Sequence, residues 1–302
     1  MEMSPVDLSW RPLFLDDLDL LRQALRAKNP EVSELSLVNL FIWQDFDRPQ
    51  IAQINDFLLL RLNPPNEPPY VLEPLGPEPS SAFLLDILRE TGRFSRLPES
   101  FLPLLPGSEV VIRENRDQFD YLYWREEMAS LRGKKFDGKR NLIRRFQSLC
   151  PDYKFQIIDY RWKKEALNFF FSWAGQKGGA GNFSSLSLQD QARALNRTFD
   201  LWEMLDLMGA ALTCRGEMKG FIIASRLNER TAVVHFLYAD LDSSGAPQTL
   251  LWEACRQLLV SFPFINLEQD LGLPGLRKAK LSYHPCRLVA KYDVYPSGGF
   301  PF

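Results

Sequence analysis

The sequence predicts a mixed α/β protein of two domains. Its 302 residues exceed what one core usually needs and suit two of ordinary size. Helix-period and strand-period segments alternate along it, and the second half repeats the order of the first. Residues Leu13 to Ala27 set Leu18, Leu21 and Leu25 on one side and Asp17, Arg22 and Arg26 on another, a helix that Pro30 closes. Ile51 to Leu62 reads as a hairpin or a long strand interrupted at the turn-prone pair Asn55-Asp56. The prolines of Asn63 to Pro69 exclude helix and central strand. A short strand at Tyr70 to Glu73, a helix from Ser80 to Thr91 and a strand at Glu109 to Arg113 follow.

Trp124 to Leu131 and Lys139 to Leu149 are predicted helical, the second linking the halves, and Pro151-Asp152 marks a boundary. The expected domains are therefore residues 1–148 and 149–302. In the second half, strand Tyr153 to Asp159 precedes helix Trp162 to Ala174, a glycine-rich loop Gly175 to Asn182 and helix Leu188 to Leu205. Strands Gly209 to Arg215, Gly220 to Arg226 and Ala232 to Tyr238, helix Thr249 to Val260 and a strand ending at Glu268 complete the pattern.

Composition narrows the function. With 45% hydrophobic and 25% charged residues the chain has the profile of a folded soluble protein. A formal net charge of −2 argues against bulk coating of nucleic acid but leaves room for a local basic groove. Cys150, Cys214, Cys255 and Cys286 lie far apart without a CxxC spacing, and His235 and His284 are the two histidines, so no metal site is expected. Reduced cysteines and a cytoplasmic location are the expectation. The N-terminus lacks the pattern of a signal peptide, and the apolar windows are too short to span a bilayer, which takes about 20 residues.

The most informative stretch runs from Phe264 to Pro285. An apolar run, Phe262 to Leu267, ends in Glu268 and Asp270. Gly272, Pro274 and Gly275 turn the chain, and Arg277, Lys278, Lys280, Tyr283 and His284 follow. A strand stopping at charge and glycine places them at a sheet edge, where ligands bind. Glu268 or Asp270 would be the general base toward an amine, and Tyr283 or His284 the acid for a leaving group. Equally, these residues form a structural network, with Glu268 on Arg277 or Lys280. His235, inside an apolar strand, reads as a hydrogen-bonded core histidine. Arg132 to Asn141 with Arg144-Arg145 is the densest positive charge, and Lys135, Lys139, Arg140 and Asn141 with Arg277, Lys278 and Lys280 are the candidate phosphate-binding set. A solvated helix face is the competing reading.

The Phe264 to Pro285 stretch and a second block, Leu131 to Phe136 followed by Lys139-Arg140-Asn141, with Asp120-Tyr121-Leu122-Tyr123 before it, resemble the phosphatidylglycerol lysyltransferase C-terminal-domain family. Weaker similarity runs from Leu35-Ser36 through Asn39 to Trp43 and on to Ile54-Asn55-Asp56, so the resemblance covers nearly the whole chain. It implies two tandem GNAT-like (N-acetyltransferase-like) domains, each a mostly antiparallel mixed sheet flanked by helices, and a cytoplasmic acyl- or aminoacyl-transferase. Aminoacyl-tRNA is the implied donor, as in Fem-type enzymes, with tRNA or another phosphate-bearing ligand as partner, peripheral lipid contact, and no permanently bound cofactor. Acyl-coenzyme A is the other co-substrate. Gln176 to Gly181 satisfies the Q-x-x-G-x-G pattern of a pyrophosphate nest but follows a helix, whereas the equivalent turn, Asp242 to Pro247, carries an acid and a proline. Leu237, Tyr238 and Leu267 stand where the family usually has charge, and a tyrosine and an asparagine common to it are absent around Gly245 to Leu251. A degenerate, non-catalytic binder and a coenzyme A-dependent acetyltransferase are the alternatives.

Overall fold

The computed structural model describes residues 8–176 and 187–298. The chain forms two compact units, one ending at Asp120 and resumed from Val289, the other Tyr121–Leu288. The first opens with β1 (Arg11–Pro12) and the helices α1 (Leu18–Lys28), α2 (Leu37–Ile42) and α3 (Gln44–Asp47). Then come β2 (Gln50–Ile54), β3 (Phe57–Leu62), β4 (Tyr70–Val71), α4 (Ser81–Thr91), β5 (Phe94–Pro98) and β6 (Val110–Glu114). Local chemistry sets these limits. Left-handed Asn29, one residue before Pro30, ends α1, and Asn55 at φ 50° turns the β2–β3 hairpin. The Ser80 hydroxyl caps α4 by accepting the Phe83 N–H, and Gly92 at φ 79° stops it.

The second unit comprises β7 (Asp120–Trp124, from Tyr121 on), α5 (Arg125–Ser130), α6 (Asp137–Leu149), β8 (Lys154–Ile158), α7 (Lys163–Gln176) and α8 (Leu188–Asp200). It continues with β9 (Met208–Cys214), β10 (Glu217–Arg226), β11 (Thr231–Ala239), α9 (Ala246–Glu253), β12 (Phe264–Asn266), α10 (Pro274–Leu281) and β13 (Arg287–Val289). A final strand, β14 (Lys291–Pro296), pairs between β5 and β6. The sheet orders are β1-β2-β3-β4-β5-β14-β6 and β13-β7-β12-β11-β10-β9-β8. The order of strands within each sheet is thus the same, each closed by a strand distant in sequence. In each, one parallel pair interrupts antiparallel neighbours: β4 with β5, and β11 with β12.

Two expectations are corrected. The division lies at residues 120/121 and 288/289 rather than 148/149, and α6 belongs wholly to the second unit instead of crossing between halves. Its apolar residue Phe146 joins the core formed by Leu250, Leu251 and Ala254 with Ala210, Ile222 and Ala232, which explains the placement. On the opposite face of the sheet, Phe170 and Trp173 of α7 meet the Tyr238 ring edge-on at 5.1 and 4.7 Å.

Cys150 and Cys214 form a disulfide, with Cα atoms 5.9 Å apart, against the expectation of reduced thiols throughout. The cause is topological: α6 ends at Cys150 where β9 ends at Cys214. Reduction should lower stability by about 2 kcal/mol, the low end for a disulfide because buried thiols still pack as small apolar groups. Thermal melts with and without reductant check this, and superimposable curves would rule out the bond.

The first unit buries charge. The Lys291 ammonium, fully buried, lies 2.7 Å from the Asp120 carboxylate and 2.5 Å from that of Glu34. The Ser33 N–H and hydroxyl donate to Asp120 at 2.8 and 2.9 Å. Arg96 pairs with Glu67 at 2.6 Å and stacks 4.9 Å from the Tyr70 ring centre.

Candidate functional site

The site grows from the place where two parallel strands part. β11 pairs with β12 at Thr231, Ala232 and Val233 alone, and β12 ends at Asn266. Beyond Val233, β11 keeps only β10 as its partner, so the sheet opens. The buried Asn266 side chain accepts the Glu268 N–H at 2.7 Å and starts the turn. Glu268, Leu271 and Gly272 then take φ of 55°, 53° and 72°. Left-handed backbone at a bulky leucine costs on the order of 1–3 kcal/mol and persists only where surroundings dictate it.

Asp270 supplies that constraint. Its buried carboxylate accepts from the Tyr121 hydroxyl at 2.5 Å, the Gly272 N–H at 2.9 Å, and both Nε and Nη2 of Arg277 at 2.9 Å. Burial pushes this acid up, but the Arg277 guanidinium, the Tyr121 hydroxyl and the Gly272 N–H outweigh it and hold it at about 2. A carboxylate so held is a poor base at neutral pH, which assigns Asp270 to the turn. Lys280 serves the same turn: its three donors meet the carbonyls of Leu267 at 2.5 Å, Glu268 at 3.1 Å and Gln269 at 2.5 Å.

The basic block and the terminal signature come together through α6 and α10. Lys139 Nζ donates to Ser282 Oγ at 2.6 Å and sits 3.7 Å from the Tyr283 ring centre. Burial lowers this ammonium to about 8. His284 Nε2 lies 3.3 Å from the Lys135 carbonyl, and its ring meets Phe136 edge-on at 5.6 Å. Tyr283 turns its edge to Tyr123 at 6.5 Å, and burial raises its phenol well above the usual range. Arg140 binds Asp137 and the carbonyls of Leu131 and Gly133, so it braces the turn before α6. Lys135 forms an exposed pair with Glu127 at 2.8 Å, and Asn141 is exposed on α6. An open cleft of about 550 Å³ is lined by Gly272, Pro274, Arg277, Lys278, Leu281 and Ser282, with Lys278 exposed at its wall. Of the predicted cations, Arg140, Arg277 and Lys280 hold carboxylates or backbone carbonyls, Lys139 holds Ser282 and the Tyr283 ring, Lys135 holds Glu127, and Lys278 is exposed at the cleft wall.

Residues 26–295 match the family model described as phosphatidylglycerol lysyltransferase, C-terminal. The chain belongs to this family. A conserved protein of unknown function from Bacteroides thetaiotaomicron is 27% identical, with a TM-score of 0.87 over 96% of this chain and 100% of that one. The C-terminal domain of a putative lysylphosphatidylglycerol synthetase from Agrobacterium fabrum superposes with a TM-score of 0.65 at 12% identity, covering 93% of this chain and 91% of that one. L-PGS from Bacillus licheniformis gives 0.64 at 17% identity, covering 93% and 92%. No curated protein matches. The two units share the fold of these lysylphosphatidylglycerol synthetase domains.

The turn from β11 to α9 is the one that the sequence resemblance made the expected place of a pyrophosphate nest. Here Asp240 fills that role for its own chain, accepting the Asp242 N–H at 3.0 Å and the Ser243 hydroxyl at 2.7 Å. Gly245 at φ 90° lies so close to the Leu142 carbonyl that a Cβ would stand 2.0 Å from it. Gln176 ends α7, and the rest of the Q-x-x-G-x-G run lies outside the described residues. Leu237 and Leu267 pack against the core and Tyr238 is buried. Tyr121 and Ser225 are site residues that the sequence reading passed over. Among the described residues no helix is long and apolar enough to cross a membrane, and no acid, His and Cys cluster could hold a metal.

Proposed function

We propose that the second unit transfers an activated acyl group, carried as an aminoacyl ester on tRNA, to an amine or hydroxyl acceptor. The observation that carries this reading is the parting of β11 and β12, with Glu268 at its edge and tied through Lys280 to α10, whose residues line the open cleft. Lys139, Lys278 and Lys135 would hold phosphates there, and Glu268 would handle the acceptor's proton. Positioning supplies most of the rate, with acid–base help secondary. The self-satisfied Asp240 turn and the packed Gly245 favour this donor over coenzyme A. A binding-only role is the second reading, favoured by the core-packed, apolar Leu237 and Leu267 where the family usually has charge.

The test titrates the protein with lysyl-tRNA, uncharged tRNA and acetyl-coenzyme A, following both binding and loss of the acyl group. Lysyl-tRNA should bind and lose its aminoacyl group to an added amine. In Lys139→Ala with Lys278→Ala the salt dependence of tRNA affinity should flatten by roughly one to two in log–log slope. An unchanged affinity and slope would remove the cleft from the phosphate path, and binding without turnover would select the second reading.

A further inference from the structure

Behind Glu268 lies a buried pair that the transfer reading leaves without a role. His235 is the extra residue of a bulge in β11: Phe236 pairs with Ile223 and Val234 with Ala224 of β10, leaving His235 without an opposite. Bulges re-aim a side chain. Here the imidazole Nε2 reaches Ser225 Oγ at 2.8 Å, and Nδ1 lies 3.3 Å from Glu268 Oε1. Three residues from three strands or strand ends thus line up hydroxyl, imidazole, carboxylate.

Burial gives the line a direction. Ser225 is 1% exposed and the His235 side chain 0%, whereas the Glu268 side chain is 19% exposed. The hydroxyl is the closed end and the carboxylate the open one, the reverse of an arrangement in which serine attacks a substrate. Hydrogen-bond chemistry fixes the rest. An ionised carboxylate only accepts, so a bond to Glu268 places a proton on Nδ1, and in a neutral ring Nε2 then accepts from the Ser225 hydroxyl.

We infer that Ser225, His235 and Glu268 form one hydrogen-bonded relay in which His235 is a positioning residue that holds Glu268 as the proton acceptor for the incoming nucleophile. This rests on the transfer reading for its chemistry. As the acceptor nitrogen bonds to the acyl carbon and the donor's C–O bond breaks, Glu268 takes one proton from nitrogen and returns it to the departing ribose oxygen. Ser225 and His235 gain and lose nothing; they fix the orientation and tautomer against which the carboxylate works.

The experiment is nitrogen NMR on the full chain labelled in its histidines, which number two, with His235→Asn identifying the His235 signals. The relay predicts a proton on Nδ1, protected from exchange, and a bare Nε2 at neutral pH. Glu268→Gln, which offers a neutral and weaker acceptor, should move the Nδ1 proton upfield, and Ser225→Ala should move the Nε2 resonance. In single-turnover deacylation of lysyl-tRNA with an amine acceptor, Glu268→Gln should cost on the order of 10²-fold or more. His235→Phe should fall similarly, and His235→Asn, which keeps a donor toward Glu268, should recover most of the rate. A proton found on Nε2, or signals indifferent to both Glu268→Gln and Ser225→Ala, would overturn the relay. Equal losses in His235→Asn and His235→Phe would overturn the positioning role. If wild-type protein turns over no donor at all, the transfer reading falls, while the tautomer still decides the relay.

Discussion

Replacing Lys291 with methionine is expected to destabilise the protein by about 4 kcal/mol, the range for stripping one partner from a buried ion pair. Lys291 and Asp120 are both fully buried, and Glu34 shares the same ammonium. Burial already holds the Glu34 carboxyl above its ordinary range, with Lys291 pulling against it. Without that cation two acids must either stay charged in an apolar setting or take up protons. Urea unfolding of the variant measures the loss, and a change below about 1 kcal/mol would mean that water reaches the cluster.

Asp270→Ala is the second large effect, about 3 kcal/mol, moderated because Arg277 is about one-third exposed and can turn to solvent. Here the folded acid titrates at about 2, below its unfolded value. Its contribution is therefore complete above the unfolded pKa, near 4, and drains away as pH falls through 2. Wild type and variant should differ most at neutral pH and converge below pH 2. Parallel stability curves down to that pH would show that the Asp270 carboxylate does not hold the turn. Since Asp270 fixes the backbone that presents Glu268, the variant should also lose the proposed acyl transfer while still folded at low temperature.

Much of the fold was legible because it is local. Helix α6 shows its amphipathic period, and β9, β10 and β11 appear as apolar runs between turns, within a few residues of their observed limits. What escaped is what depends on distant partners. Asp120–Trp124 carries no simple alternation because its neighbour β12 lies far along the chain, and the tail strand β14 finds its place only against β5 and β6. The site divides the same way. The meeting of Lys139 with Ser282 was foreshadowed by two charged blocks, but which cations are committed depends on carbonyls that a turn exposes. Arg277 and Lys280 look alike in sequence, yet one clamps a carboxylate and the other three peptide oxygens. His235 reads as a hydrogen-bonded core histidine and is one, but its partner Ser225 gave no signal, since a bulge aligns the two and bulges leave little trace in hydrophobic patterning.

The position of β14 has a consequence for how the molecule is made. The segment that completes the first unit's sheet leaves the ribosome only after every residue of the second unit has been synthesised. Until then β6 has no neighbour joining it to β5, and that edge stands open to any extended chain. Assembly of the first unit thus waits on residues that follow the second, so a nonsense mutation upstream of Lys291 damages the part already translated as well as the part that is missing.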